Sequence, residues 1–202
     1  MPSAERVRPR REDVRAQILE AAIEVFYRDG YGGASIQMIA TAAGFTKGAI
    51  YSNFESKQAL FGAIMRARFS EVSVAVLEGI TPSSDGWRGA AAQAASLLAR
   101  HVSTLGPLHA LVIEFALQAS RDPEAREVYL ELRRAQRIEL AAALRARAAS
   151  FGLSENSDYD QVATTILALV SGLTLERIVD PELQTENIIR DALLGALSAA
   201  GA

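Results

Sequence analysis

Lys47 and Lys57 are the only lysines in a chain otherwise rich in arginine, and they flank a run of small and hydroxyl-bearing residues. From Ser35 to Phe54 the chain reads SIQMIATAAGFTKGAIYSNF. Lys47, Gly48, Ala49, Tyr51, Ser52 and Asn53 fall on the outward side of its second half. Their chemistry is that of holding a polyanion. An ammonium neutralises phosphate, and a tyrosine can set its ring against sugar or a thymine methyl with its hydroxyl on phosphate. Serine and asparagine reach phosphates or base edges, and glycine allows close approach of a backbone. Ser35, Gln37 and Thr46 border the same surface and complete the candidate DNA contacts. Ser56 can cap the following helix, whose first amides together with Lys57 suit a phosphate.

Bond-making chemistry finds little support. There is no cysteine, so disulfides, thiolate metal sites and a Cys nucleophile are excluded. The two histidines, His101 and His109, are separated by Gly106-Pro107 and form no Glu-x-x-His or His-Glu-x-x-His pattern. No GxxxxGK, GxSxG or dinucleotide fingerprint is present. We expect no catalytic residue, metal or cofactor. Two alternatives stay open at this point: a small helical enzyme and a helical protein-interaction module.

The polar residues need two short helices crossing steeply around a tight turn. Ala40 supplies the small residue for the crossing, Gly44 the left-handed turn, and Ile50 the branched apolar residue that anchors the second helix. Ser35 and Thr46 stand at the expected N-caps. Ile36, Ile39, Phe45 and Phe54 complete the apolar side. A helix over about 12–28, with Val14, Ile18, Ala21, Ala22, Val25 and Phe26 on one face and Gly30 just past its end, packs beside them.

The rest also reads as helix, with no alternating strand pattern. Breaks at TPSSDG, Gly106-Pro107, Asp122-Pro123, FGLSENSD and Asp180-Pro181 predict helices over about 57–80, 87–104, 108–120, 124–150, 159–178 and 185–199. With short helices over 36–43 and 47–53, the fold class is all-α with about nine helices. A three-helix N-terminal unit precedes a larger helical bundle.

Residues 1–80 carry 10 Lys+Arg against 9 Asp+Glu, and residues 81–202 carry 11 against 15. The basic excess thus sits at the start, where Arg6, Arg8, Arg10 and Arg11 predict a flexible basic arm over 1–11 able to contact phosphates. That segment lacks the apolar stretch of a secretory signal, and no uninterrupted apolar run approaches the ~20 residues of a membrane span. We expect no membrane partner and a cytoplasmic location.

The stretch from Val14 to Ala67 resembles the DNA-binding domain of TetR-type repressors. The resemblance lies in Gly30-Tyr31, Ile39-Ala40-x-x-Ala43-Gly44, Thr46-Lys47-Gly48-x-Ile50-Tyr51-x-x-Phe54 and Ser56-Lys57-x-x-Leu60. It covers about a quarter of the chain. Where many members carry an aromatic or histidine after the tyrosine, this chain has Ser52 and Asn53. The resemblance implies a ligand-responsive repressor that binds a pseudo-palindromic double-stranded operator as a homodimer and is released by a small apolar effector. It also implies a division into a helix-turn-helix domain over 12–56, a connecting helix over 57–80, and a ligand-binding and dimerising domain over 81–202.

Within that last domain and the helix leading to it, Met65, Phe69, Trp87, His101, Glu114, Phe115, Gln118 and Tyr129 offer aromatic surface with a few polar handles and are candidate effector contacts. Glu114 interrupts an apolar run and suits either a cationic effector or an arginine partner. The last two helices mix small and branched residues. From them Ile166, Leu169, Val170, Leu173, Ile189, Leu193 and Ala196 are the candidate dimer contacts.

Overall fold

The computed structural model describes residues 10–200. The expected basic arm lies almost wholly outside them. Among the described residues there are nine α-helices, one short 3₁₀ turn and no strand. Two compact units emerge, divided between Ile64 and Met65.

The first unit holds α1 (Arg11–Gly33), α2 (Ile36–Ala43), α3 (Lys47–Tyr51) and the start of α4 (Lys57–Glu78). Helix α1 begins with Glu12 and Asp13 at its positive end. Ile18, Ala22, Val25 and Phe26 recur at helical spacing, and all four are buried. At Gly30 the backbone turns to φ 71°, ψ 167°, a conformation essentially confined to glycine, and only one short turn follows. That bend brings Tyr31 onto Phe26, with ring centroids 5.7 Å apart, and Phe61 meets both rings edge-on at 5.2 and 4.9 Å. This aromatic trio, with Ile39, Ala40, Ile50 and Leu60, is the core of the unit.

The second unit comprises the rest of α4 with α5 (Gly86–Thr104), α6 (Gly106–Ala119), α7 (Pro123–Arg147), a 3₁₀ turn (Ala148–Phe151), α8 (Tyr159–Val179) and α9 (Glu186–Ala199). Asp122 accepts from the amides of Glu124 and Ala125 to start α7, and Asp158 accepts from that of Gln161 to start α8. Helix α5 packs on α9, and α7 packs on both α6 and α8. The core shared by α5, α8 and α9 includes Ala95, Val102, Val162, Ile189 and Leu193.

One expectation changes here. Gly106-Pro107 reads as a break between helices but forms the first turn of α6. Proline is tolerated there because the amide it lacks would have no intrahelical acceptor. The longest unbroken apolar run of helix α8 is the five residues Ile166–Val170, yet by length and composition the helix is apolar enough to cross a membrane. Its scattered Thr, Ser and Gly lower the average little. It packs against α5, α6, α7 and α9 as a helix of the bundle.

Candidate nucleic-acid interface and effector cavity

Helix α2 starts where the Ser35 hydroxyl accepts from the amide of Met38 at 3.3 Å. It stops at Gly44, whose φ of 70° and ψ of 23° are left-handed. Any β-branched residue would strain that turn. The Phe45 amide then donates to the Ala40 carbonyl at 2.9 Å, and Thr46 accepts from Ala49 at 3.2 Å to open α3. Ala40 and Ile50 are fully buried. These constraints hold the outer side of α3 toward solvent.

On that side Thr46, Lys47, Gly48, Tyr51 and Ser52 are exposed, with Ser35 and Gln37 on the α2 side. The Tyr51 side chain is 53% exposed, unusual for a large aromatic residue. Around Gly48 an added Cβ would meet nothing closer than the Thr46 hydroxyl at 3.7 Å. Nothing within the unit therefore demands glycine at this position.

Ala49, Asn53 and Lys57 are only half-exposed. Asn53 folds back, its amide nitrogen donating to the Ala49 carbonyl at 2.9 Å and to the Ser52 hydroxyl at 3.3 Å. Lys57 does not project freely. Its ammonium donates to the carbonyls of Tyr31 and Ala34 at 2.8 and 2.9 Å and sits 4.4 Å from the Tyr31 ring centroid. Burial holds its pKa below the ordinary lysine value. The side chain ties the first turn of α4 to the end of α1.

Two cations support the end of α3: Arg15, which sequence reasoning missed, and Arg11, which it placed in the basic arm. The Arg15 guanidinium donates to the Asn53 carbonyl at 2.9 Å and lies over the Phe54 ring at 4.1 Å. Arg11 reaches the Ser52 carbonyl at 3.4 Å. Their i, i+4 spacing on α1 was the available signal.

In the second unit the helices enclose an apolar cavity of about 150 Å³. Phe69, Trp87 and His101, three of the candidate effector contacts, line it. The other five do not. Met65 and Phe115 are fully buried core residues, with Tyr129 packed on Phe115 at 6.3 Å between ring centroids. Glu114 and Gln118 are exposed on α6. The wall instead gains His109, Arg133 and Arg147. Arg133, Leu140, Leu144 and Arg147 recur at helical spacing along one face of α7. The Arg147 guanidinium donates to the Leu77 and Ile80 carbonyls, which also belong to lining residues. Burial, with a smaller contribution from the Arg133 charge, holds the His109 pKa below its usual value against the opposing hydrogen bond to Leu105.

Among the candidate dimer contacts, Leu173, Ile189 and Leu193 are buried in the chain's own core, so they are not available to a second copy. Ile166 and Val170 line the cavity. Leu169 and Ala196 are half-exposed. The outward strip of α8 is formed by Ala168, Gly172, Leu175 and Val179, with Ile188 and Gly195 exposed on α9. An added Cβ at Gly172 or Gly195 would meet nothing within 4 Å.

Residues 18–64 match the family model described as bacterial regulatory proteins, tetR family, and residues 108–200 match that of the BetI-type transcriptional repressor C-terminal domain. The repressor DhaR of Mycobacterium sp. (strain GP1) is 39% identical over 62 residues, 31% of each protein. Matches of this kind span only about a third of the curated relatives' length. The repressor AcnR of Corynebacterium efficiens is 28% identical over 82% of this chain and 78% of its own. The crystal structure of the regulator FadR from Bacillus subtilis in complex with stearoyl-CoA is similar with a TM-score of 0.62. It is 22% identical, covering 91% of this chain and 97% of that one.

Proposed function

From its membership of the TetR family of bacterial transcriptional regulators, we propose that this helix-turn-helix protein is a ligand-responsive repressor. It holds a pseudo-palindromic operator as a homodimer and releases it when a small, mostly apolar effector fills the cavity. Family members are regulators and not enzymes, so the mechanism is differential binding. In this reading residues 12–56 read DNA, α4 couples the two units to which it contributes, and residues 81–202 bind effector and dimerise in the cytoplasm.

The observation that carries the DNA reading is the outer side of α3. An exposed lysine, an exposed tyrosine and a glycine that its own unit does not require stand together there. A phosphate backbone explains all three. Lys47 supplies charge, Tyr51 a ring and hydroxyl, and Gly48 clearance. Lys57 acts chiefly as a strut, and Ser52 is better placed than the folded-back Asn53 to meet a base edge.

A dimer presents two such helices about 34–36 Å apart, or a multiple of that spacing, to successive major grooves. The small and apolar outward strip of α8, with Ile188 and Gly195 of α9, supports close packing of a second copy. The effector reading is supported by the cavity and by the ligand in the FadR structure. Such a ligand acts only by binding one conformation more tightly than the other.

Fluorescence anisotropy on operator fragments across a salt series tests the surface. Lys47→Ala should weaken binding to all sequences and reduce the salt slope by about one unit. Tyr51→Phe should keep part of the affinity and Tyr51→Ala lose most of it. Unchanged binding in a Lys47→Ala, Tyr51→Ala double variant with native circular dichroism would refute the assignment.

A further inference from the structure

The polar groups at the α6 and α7 side of the cavity are unevenly matched. Arg133 is one of two arginines in a mostly apolar wall, and it takes part in none of the ion pairs formed among the described residues. Its Nη1 donates to Gln136 Oε1 at 3.2 Å. Gln136 is itself buried, and its Nε2 has no hydrogen-bond partner. His109, buried on α6, also faces the cavity, with Nδ1 on the Leu105 carbonyl at 3.3 Å and its ring 6.0 Å from that of Phe69. Among the described residues, a guanidinium outside any ion pair thus lines the cavity, backed by a buried glutamine that is not part of the lining and whose amide donor is orphaned.

The far end differs. Arg147 is satisfied by two backbone carbonyls, and its guanidinium carbon lies 5.4 Å from the centroid of the Phe151 ring. The two arginines are 14 residues apart on α7, about 21 Å at 1.5 Å per residue. The space between them is lined by Leu140 and Leu144.

Resting on the reading of this cavity as the effector site, we infer that the effector is an amphipathic carboxylate. Its acid group pairs with Arg133, and its hydrocarbon lies along α7 toward Arg147. A carboxylate accepts two parallel bonds from a guanidinium, geometry that a hydroxyl cannot match. In an apolar wall the attraction is less screened than in water. The Arg133 charge disfavours a cationic effector, the option Glu114 had raised, because Glu114 is exposed on α6 and is not part of the lining.

The test uses the full chain and three chain-matched probes: octanoate, octan-1-ol and octylammonium. Trp87 is the only tryptophan and lies in the cavity wall, so its fluorescence reports occupancy. Octanoate should bind at least about ten-fold more tightly than octanol, and octylammonium most weakly, as a charge-assisted bidentate pair requires. Arg133→Gln should bring octanoate to within about three-fold of octanol once that pair is lost. Octanol should still bind, and an unchanged circular dichroism spectrum shows that the variant is folded. Arg133→Lys should keep part of the preference. Equal binding of octanoate and octanol, tightest binding of octylammonium, or a preference that survives Arg133→Gln overturns the carboxylate and leaves the cavity reading standing. If none of the three alters Trp87 emission, both readings fall.

Discussion

Small residues serve opposite purposes in the two units. Ala40 is fully enclosed, because α2 and α3 cross closely over it. Ala94, on α5, borders open volume in the second unit. The first unit uses small side chains to bring backbones together, and the second uses them to keep space empty. In one place alanine is required by the packing, whereas in the other it is required only if something enters. The same residue type therefore marks fold in one unit and candidate function in the other.

The same overpacking change should separate the two cases. Ala40→Leu forces extra volume into a closed contact and should destabilise the first unit by about 1–3 kcal/mol. Ala94→Leu projects into the cavity and should cost well under about 1 kcal/mol, while reducing effector binding. Urea midpoints read by circular dichroism check both. Equal costs would mean that the cavity wall is as tightly packed as the helix crossing, and the contrast would be lost. Next in size, Gly44→Val should cost about 1–2 kcal/mol, because a β-branched residue must adopt the left-handed turn. The same melts would show it, and no loss would break the claim that backbone geometry dictates residue type in the first unit.

The smallest effect belongs to the cavity. The folded His109 has a pKa below the ordinary 6.5, chiefly through burial. Below that ordinary value the unfolded chain takes up a proton that the folded chain resists. The stability associated with neutral His109 is therefore fully present above about 6.5 and is lost as pH falls toward the depressed value. Urea midpoints should decline over that interval in the parent chain and decline less in His109→Gln. An identical pH dependence in the two would place the acid sensitivity elsewhere.

The contrast also explains what was legible in the sequence. Gly44, Ala40, Ile50 and the caps Ser35, Thr46 and Ser56 could be read because each answers a backbone demand that few residue types satisfy. Helix breaks at Asp122-Pro123 and Asp180-Pro181 followed from the same logic. The cavity was less legible, because an apolar residue facing a void and one facing its neighbours have the same pattern. Phe69 and Trp87 line it while Met65 and Phe115 do not, and nothing in their spacing distinguishes them. Arg133 was hidden among the other arginines of α7. Lys57 read as a free cation because the carbonyls that hold it, at Tyr31 and Ala34, become available only through the bend at Gly30.

Gly48 has a further consequence. Alanine would fit its space in the free protein, and glycine within a helix forgoes roughly 0.5–1 kcal/mol relative to alanine. If α3 docks against phosphates as proposed, thermal tolerance and recognition pull in opposite directions at this single position. A variant library sorted only for heat resistance should drift to alanine there. Sorting the same library for operator retention should restore glycine, making position 48 a gauge of which demand is governing the molecule.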